Sequence, residues 1–306
     1  MLLSDDPTVE TAYELQSSQI EANWPADVTI AVCLTFDTQG AIDGLGEGTH
    51  YQTTTTWPNG APNWWDYSER QYGIECGLPR ILDILDEFDV TATFPTCGMT
   101  ADWYPERIAE IHEREHTIAN HSYSHRLPSG LDADEINEEI KKGREAIESL
   151  IGERPRGWRS PAFALNESTV DSLIEQDYVW DSSLHNRDLP YLLSNGEDHI
   201  VELPAGHIDD WTLYMMSTGS DVGHMGGYPR GTPGGVLDVL TSEFDRLYAE
   251  ANSTTPRLFM YTMHPKITGR PHRADTLRAF LEYISNKPGV WFASCDDIAD
   301  LAMGRP

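Results

Sequence analysis

The chain has 306 residues, of which 39% are hydrophobic and nine are Trp, enough apolar material for one large domain or two small ones. It carries 50 acidic and 21 basic residues, a net charge of −29, and only four Lys. A surface this anionic repels nucleic acid and anionic membranes and argues against a polyanionic substrate.

The distribution of charge and cysteine suggests where the protein works. The acidic residues are spread along the chain rather than gathered in a tail, and scarce Lys with abundant Asp and Glu indicates a halophilic source. Neither an 18-residue apolar run nor a signal peptide is readable, so we expect a cytoplasmic protein that does not bind membranes. The four Cys form no CxxC motif, and disulfides are not implied.

Short β-rich runs alternate with amphipathic helical segments along the chain. Residues 1–27 are predicted to be an N-terminal arm that precedes the domain. The polar part of this segment could instead form a first helix. Strands are predicted, in chain order, at 28–36, 90–94, 117–120, 157–159, 178–181, 200–203, 257–264 and 290–293. Helices are predicted at 78–88, from Pro105 onwards, from a capping box at Asp132 to Gly152, and at 166–176, 236–251 and 271–286.

This alternation predicts an α/β fold in which parallel strands close into a single barrel. We expect seven or eight strands in one domain at 28–306, with the active site at the carboxyl ends of the strands. Two segments at 38–76 and 204–233 are rich in Gly and interrupt the alternation, and they are predicted to be insertions that serve function or oligomer contacts.

Two histidines, His121 and His125, stand four positions apart just after a predicted strand. On a helical turn this spacing puts both imidazoles on one face, about 5–6 Å apart at Cβ, where one cation could bind both. Imidazole suits zinc, iron, cobalt and nickel, so the pair alone does not name the metal. The alternative is an ordinary pair on an exposed helix that binds nothing.

Four ionisable side chains fall at the ends of predicted strands: Asp37, His121, Arg159 and His264. Parallel barrels place their active sites at these ends. Taken singly, an Asp after a strand is often an N-cap and an Arg often forms a surface ion pair. All four at one end of a barrel favour an active site.

Five motifs give the chain a family resemblance. They are Thr35-Phe36-Asp37, His121-Ser122-Tyr123-Ser124-His125, Arg159-Ser160-Pro161, Asp181-Ser182-Ser183-Leu184 and Met263-His264-Pro265. In this order they resemble the polysaccharide deacetylase family, carbohydrate esterase family four, over residues 28–300. Weaker strings are similar to a cytoplasmic branch with cyclic-imide-hydrolase-like and allantoinase-like members: Glu202-Leu203-Pro204, Asp209-Asp210-Trp211, and His264-Pro265 followed by Gly269-Arg270-Pro271-His272-Arg273.

The resemblance implies a hydrolase of non-peptide carbon–nitrogen bonds. It makes Asp37 the general base, Arg159 its partner and His264 the general acid, with Asp181 orienting the Asp37–Arg159 pair. A divalent metal, zinc in the first place, would be held by His121 and His125. The substrate would be a small amide, an imide or an acetamido sugar.

Three further residues are candidates for the substrate pocket: Asp210, Trp211 and Pro161. For the first two the alternative is an N-cap followed by a core Trp. Arg270 and Arg273 would brace the turn around His264 or bind a substrate carboxylate.

The sequence departs from the family at the third metal ligand. The family has an Asp one or two positions after the base, where this chain has Thr38 and Gln39. Three readings stay open: Asp37 itself binds the metal, Gln39 binds it through its carbonyl oxygen, or the site is metal-free, as in the allantoinase-like relatives.

The same departure leaves a second function open, that of a non-catalytic relative that binds a ligand. Retention of Asp37, Arg159 and His264 together favours the hydrolase. The branch and the aromatic insertions further predict a homo-oligomer, with a tetramer expected at high salt and a monomer as the alternative.

Overall fold

A mostly parallel sheet runs through the computed structural model, which describes residues 16–19, 24–42, 64–195, 198–205, 208–215, 231–251 and 256–304. Within these ranges the strands are β1 Gln16–Gln19, β2 Ile30–Phe36, β3 Thr93–Thr96, β4 Thr117–Asn120, β5 Gly157–Trp158, β6 Trp180–Asp181, β7 Tyr191–Asn195, β8 Asp198–Glu202, β9 Arg257–Met263 and β10 Val290–Phe292.

Helices surround the sheet. They are α1 Trp64–Tyr72, α2 Leu78–Phe88, α3 Gly98–Trp103, α4 Pro105–Glu113, α5 Ala133–Ile151, α6 Glu167–Glu175, α7 Pro233–Glu250, α8 Pro265–Thr268, α9 Pro271–Ser285 and α10 Cys295–Ala302. Two π-helical turns, Gly73–Gly77 and Trp211–Met215, add to them. None of these described helices has the length and apolarity needed to cross a bilayer.

β2 pairs with three other strands, and all seven of its residues are buried. β9 pairs with it in parallel along its whole length, while β10 and the start of β3 pair with its other edge. The parallel order continues through β4, β5, β6 and β8, and a bridge between Asp209 and Thr262 links the segment after β8 back to β9. The sheet thus curls into an incomplete barrel, which confirms the predicted α/β barrel class.

One edge of the sheet was not predicted. β7 and β8 form an antiparallel pair, in which Leu192 faces Val201, and β1 pairs antiparallel with β7. Within the predicted N-terminal arm, Gln16–Gln19 is therefore a strand and not a helix. No helix separates β7 from β8, so this pair breaks the strand–helix alternation from which the other strands were predicted.

The predicted insertions contain regular structure. Within 38–76, residues 64–72 form α1 and the π-helical turn follows directly, while 43–63 lie outside the described residues. Within 204–233, the turn Trp211–Met215 and the start of α7 are described, and 206–207 and 216–230 are not.

Two helices show why the sequence-based assignments hold elsewhere. α2 buries one stripe of apolar side chains, as its 3.6-residue periodicity requires. α5 begins at a reciprocal capping box, in which Asp132 accepts from the Glu135 amide and Glu135 accepts from the Asp132 amide, and it ends at Gly152 with positive φ.

Candidate active site

The polar side chains at the carboxyl ends of the central strands lie together. Asp37 follows β2, His121 follows β4, Arg159 follows β5 and His264 follows β9. All four are buried, with at most 9% of the residue exposed. The predicted residues are thus brought to one end of the barrel, where the parallel strand order directs the ends of these strands.

Arg159 and Asp37 form the centre of the site. Arg159 is fully buried, and its Nη1 lies 3.4 Å from Asp37 Oδ1. The guanidinium also donates to Thr262 Oγ1 at 3.1 Å and to Ser182 Oγ at 2.9 Å. These bonds fix the planar cation beside the Asp37 carboxylate, since they engage both terminal nitrogens of the guanidinium.

The two histidines lie close together, but not on a helix. Residues 121–125 form an irregular loop in which Ser122 and His125 have φ near +62° and +61°, so the predicted helical turn is wrong. The loop nevertheless brings the rings of His121 and His125 to 4.9 Å between centroids. Two left-handed residues turn the chain back on itself, an arrangement that sequence spacing does not reveal.

Both imidazoles are neutral at physiological pH. Burial lowers the pKa of His121 to about 3 and that of His125 to about 4. The Nδ1 of His121 donates to the Arg159 carbonyl at 2.7 Å, which leaves its Nε2 lone pair directed towards Asp37, with Oδ2 3.9 Å away.

Gln39 occupies the position of the third predicted metal ligand. Lys266 Nζ donates to Gln39 Oε1 at 3.0 Å, so the amide nitrogen is the atom that faces His125 Nε2, at 3.1 Å. Because Lys has only donors, this contact fixes the orientation of the amide and makes His125 Nε2 an acceptor from Gln39. Burial lowers the pKa of Lys266 to about 7.

This donor set does not fit a metal ion as it is arranged. A metal needs lone pairs, yet the Gln39 oxygen already accepts from Lys266 and the Gln39 amide group donates to His125. The separation of 3.9 Å between His121 and Asp37 also exceeds the roughly 3.3 Å between two ligands of one zinc ion. Among the described residues no group of three His, Cys, Asp or Glu could hold a metal.

His264 is held by Asp210, which sequence reasoning assigned to the substrate pocket. Asp210 Oδ1 accepts from His264 Nδ1 at 2.7 Å, and Oδ2 accepts from the His264 amide at 2.8 Å and from Thr268 Oγ1 at 2.7 Å. Asp210 is fully buried, and its place in the substrate pocket stays a prediction. Burial would lower the pKa of His264, but the charge and hydrogen bond of Asp210 outweigh it and raise that pKa to about 9.

Close backbone contacts set the position of the turn that carries His264 and Lys266. A Cβ atom on Gly73 would lie 2.8 Å from the Lys266 amide nitrogen, and one on Gly77 would meet the Pro265 carbonyl. A Cβ atom on Gly269 would in turn meet Gly77. The π-helical turn Gly73–Gly77 therefore packs directly against the backbone of α8, which only glycine allows at these positions.

The remaining predicted residues lie around this centre. Asp181 is fully buried and accepts from Ser183 Oγ at 2.6 Å, so it acts on Arg159 through its charge rather than through a direct bond. The ring of Trp211, a half-buried residue, lies 6.4 Å from that of His264. Pro161 is buried in a 3-10 turn after Arg159, and its predicted substrate contact is untested.

The predicted role of Arg270 and Arg273 in bracing the turn agrees with their stacking contacts. Arg270 stacks on Tyr72 at 3.7 Å and Arg273 on Tyr214 at 4.7 Å. Both arginines therefore contact aromatic rings packed around the His264 turn.

Sequence reasoning missed Lys266, Arg70 and Glu202. Arg70 of α1 is buried and lines the same pocket as Asp37, Gln39 and Lys266. A signal for Lys266 was present, because it is one of only four Lys and comes two residues after His264. Arg70 had no signal of this kind, since it lies in a segment that was predicted to be irregular.

The incomplete parallel barrel and its buried acid–base groups define a hydrolase of the deacetylase class. A family model for polysaccharide deacetylase matches residues 65–179. The solved structure of a "putative polysaccharide deacetylase from Mycobacterium smegmatis" is 32% identical, covers 95% of this chain and 96% of its own, and superposes with a TM-score of 0.80. The chain belongs to the polysaccharide deacetylase family and is a deacetylase-like hydrolase of carbon–nitrogen bonds.

Two other relatives extend the comparison. A peptidoglycan deacetylase from Helicobacter pylori is 24% identical over 267 residues, which cover 78% of this chain and 88% of that protein. The solved structure named Puue Allantoinase has a TM-score of 0.78 at 23% identity, with 96% of each chain covered. At that identity the allantoinase likeness shows the fold alone.

Proposed function

We propose that this protein hydrolyses the carbon–nitrogen bond of a small amide, imide or acetamido sugar, with Asp37 as general base and His264 as general acid. The observation that carries the proposal is that a charged imidazole and a carboxylate paired with an arginine lie in one site. Asp210 keeps His264 in its charged form, with the pKa raised to about 9, while Asp37 is paired with Arg159. An acid and a base are therefore ready at the same pH.

The attacking water would lie between Asp37 and His121. Asp37 Oδ2 and His121 Nε2 are both acceptors and stand 3.9 Å apart, so one water molecule can donate a hydrogen to each. As the water oxygen bonds to the substrate carbonyl carbon, Asp37 takes the proton. Arg159 stabilises the orientation of Asp37 throughout, because its guanidinium is fixed by Thr262 and Ser182.

The carbonyl oxygen gains negative charge in this step and needs an electrophile. Lys266 Nζ and the amide of Gln39 lie in the same pocket as Asp37. We assign them the stabilisation of this oxyanion, since N–H donors fixed in a buried site act strongly on developing charge and the Lys266 amino group donates in both of its protonation states. The predicted zinc ion stays a prediction with no part in these steps.

Departure of the nitrogen completes the reaction. The carbon–nitrogen bond breaks as His264 Nε2 gives its proton to the leaving nitrogen. The Nδ1–H group of His264 keeps its hydrogen bond to Asp210 during this step. The products are a carboxylate and an amine, or a ring-opened acid-amide from a cyclic substrate. A second turnover requires Asp37 to release the proton that it took from water and His264 to regain one.

The experiment is a turnover panel of chitooligosaccharides, hydantoins, succinimide and allantoin, with and without added divalent metal. The Asp37→Asn variant should lose at least ~2–3 kcal/mol of transition-state stabilisation on the true substrate. The matched control is Asp275→Asn, an exposed carboxylate on α9 paired with Arg278. Near-normal turnover by Asp37→Asn would overturn the mechanism, and binding without turnover across the panel would favour the non-catalytic alternative.

The remaining expectations on partners and location are proposals as well. The net charge of −29 supports a small substrate rather than nucleic acid or an anionic membrane. We also propose a cytoplasmic location, a halophilic source and a homo-oligomer, most simply a tetramer. The Trp and Tyr residues of segment 38–76 support the oligomer, since aromatic residues are enriched where subunits meet.

A further inference from the structure

Two carboxyl groups stand side by side next to the catalytic arginine. Asp181 ends β6 and Glu202 ends β8, and the two are register partners in a parallel pair. Partners at one register position project to the same face of a sheet, and both residues are fully buried. The two carboxyl groups are therefore adjacent, and each acts on the pKa of the other.

The other oxygen of each carboxyl is fixed by its neighbours. Ser183 Oγ donates to Asp181 Oδ1 at 2.6 Å, and Ser183 Oγ itself accepts from the Ser160 amide at 2.9 Å. The amides of Ser183 and Leu184 donate to Glu202 Oε1 at 3.2 and 2.8 Å. Asp181 Oδ2 and Glu202 Oε2 have no donor among the described residues.

This geometry requires a proton between the two carboxyls. Two ionised carboxylates in contact and out of water repel each other strongly, so such a pair holds one proton in common. Burial raises the pKa of Glu202 well above its usual range, and the contact with Asp181 raises it further. Burial also raises the pKa of Asp181, whereas its bond to Glu202 lowers it, so the proton lies on Glu202.

The charged group next to this pair is Arg159. Its positive charge acts on Asp181, while its Nη1 lies 3.4 Å from Asp37. Tyr191 on β7 is the titratable neighbour on the other side, where it is the register partner of Glu202. It stays neutral, because burial raises the pKa of the Tyr191 hydroxyl.

We propose that Glu202 is a positioning residue of the reaction, a neutral carboxylic acid that shares one proton with Asp181 so that the pair presents a single negative charge to Arg159. The guanidinium then lies between two single negative charges, those of the pair and of Asp37, and is held in place by both. This proposal rests on the proposed function only for its catalytic consequence.

Amide substitutions separate charge from shape. In Glu202→Gln the amide oxygen can still accept from Ser183 and Leu184, and the amide nitrogen can donate to Asp181, so the charge of the pair is unchanged. In Glu202→Leu the shape is similar but Asp181 loses its donor. In the double variant Asp181→Asn/Glu202→Gln the single negative charge is lost.

Activity against pH is the first measurement. Glu202→Gln should keep kcat within about three-fold of the wild type, and Glu202→Leu should lose roughly ten-fold or more. In the double variant the acid limb of kcat/KM should move to lower pH, because Arg159 then acts on Asp37 without an opposing charge. Equal losses in Glu202→Gln and Glu202→Leu, or an unmoved acid limb in the double variant, would overturn the proposal.

Thermal unfolding against pH tests the shared proton without substrate. The raised pKa of Glu202 means that the folded chain keeps a proton that the unfolded chain loses above its usual pKa of 4.5. The stability from this group is therefore present at low pH and lost as pH rises. The melting temperature of Glu202→Gln minus that of the wild type should increase between pH 5 and pH 8.

The two failures are distinguishable. A difference in melting temperature that stays constant with pH would overturn the shared proton, whatever the activity. An increasing difference combined with no turnover by any of the proteins would uphold the pair and overturn the proposed function instead.

Discussion

Three buried histidines at one end of the barrel differ widely in pKa. Burial lowers the pKa of His121 to about 3 and of His125 to about 4, whereas the Asp210 carboxylate overcomes burial and raises the pKa of His264 to about 9. Between these values the site contains two neutral imidazoles and one imidazolium. One residue type thus supplies acceptors on one side of the pocket and the acid on the other.

The charge of Asp210 sets the alkaline limit of activity. Asp210→Asn should move the alkaline limb of kcat/KM from near pH 9 to lower pH, because Asp210 is the strongest of the groups that oppose the effect of burial on the pKa of His264. Activity at pH 8 should fall by roughly ten-fold or more. The control is Thr268→Val, which removes one hydrogen bond to Asp210 without removing charge. An unchanged limb in Asp210→Asn would show that His264 is not the acid.

Gln39 and Lys266 make the metal prediction testable. We expect wild-type protein to retain little zinc after loading and desalting. The variant Gln39→Asp/Lys266→Met should retain about one ion per chain, because it adds a carboxylate as third ligand beside the two histidines and removes the Lys266 amino group. The matched control is Gln39→Asn/Lys266→Met. Stoichiometric zinc in the wild type that is lost in His121→Ala/His125→Ala would instead support the metal site predicted from the sequence.

At the scale of elements, the loop with the two histidines depends on α5. A Cβ atom on Gly143 of α5 would lie 2.8 Å from the Ser122 carbonyl oxygen and would also meet the Asn120 side chain. The helix thus packs against the backbone of the loop between His121 and His125. Neither side can move aside through a rotamer change.

Gly143→Ala should therefore displace the loop. We expect it to destabilise the fold by about 1–3 kcal/mol, the usual range for overpacking, and to lower kcat. Denaturant unfolding and steady-state kinetics measure the two effects. Gly130→Ala is the control, since a Cβ atom there meets nothing within 4 Å. Wild-type stability and activity in Gly143→Ala would mean that the loop is not held by α5.

Much of the architecture could be predicted because local signals agreed with it. The capping box at Asp132 and Glu135 and the apolar stripe of α2 are local features, and the structure contains both elements. The antiparallel pair β7–β8 is stabilised by cross-strand pairs such as Leu192–Val201, which single-strand periodicity does not show.

The candidate site was predictable in its membership but less so in its contacts. Motif order placed Asp37, Arg159 and His264 at neighbouring strand ends, since parallel strands bring their carboxyl ends together. The orientation of Gln39 towards Lys266 and the contact of Glu202 with Asp181 depend on side chains more than 20 residues apart. Such contacts follow from the register of the strands and from the directions of hydrogen bonds. The spacing of residues along the chain does not predict either of them.

At the scale of the whole molecule, the net charge of −29 opposes the compact state through self-repulsion. Salt screens this repulsion, with a Debye length of about 3 Å at molar ionic strength. We expect the melting temperature to rise by about 5 °C or more between 0.1 M and 2 M salt. Greatest stability at low ionic strength, with loss towards molar salt, would contradict a halophilic source.

Screening should also permit assembly. Light scattering in molar salt should give a mass of about four times the 34.4 kDa of one chain, with smaller species at low salt. Because aromatic residues are enriched at subunit contacts, Trp64, which is 73% exposed, is the described candidate for such a contact. A single-chain mass in molar salt would contradict the oligomer.

The glycine contacts between Gly73–Gly77 and Pro265–Gly269 have a consequence for altering specificity. Libraries that vary α1 in search of new substrates would change side chains next to the pocket, yet the adjoining backbone contact has no side chain that can absorb a shift. Variation that displaces this turn would move His264 and Lys266 together with it. Productive libraries should hold Gly73, Gly77 and Gly269 constant and diversify α1. Substrate recognition would then change while His264 keeps its position relative to Asp37.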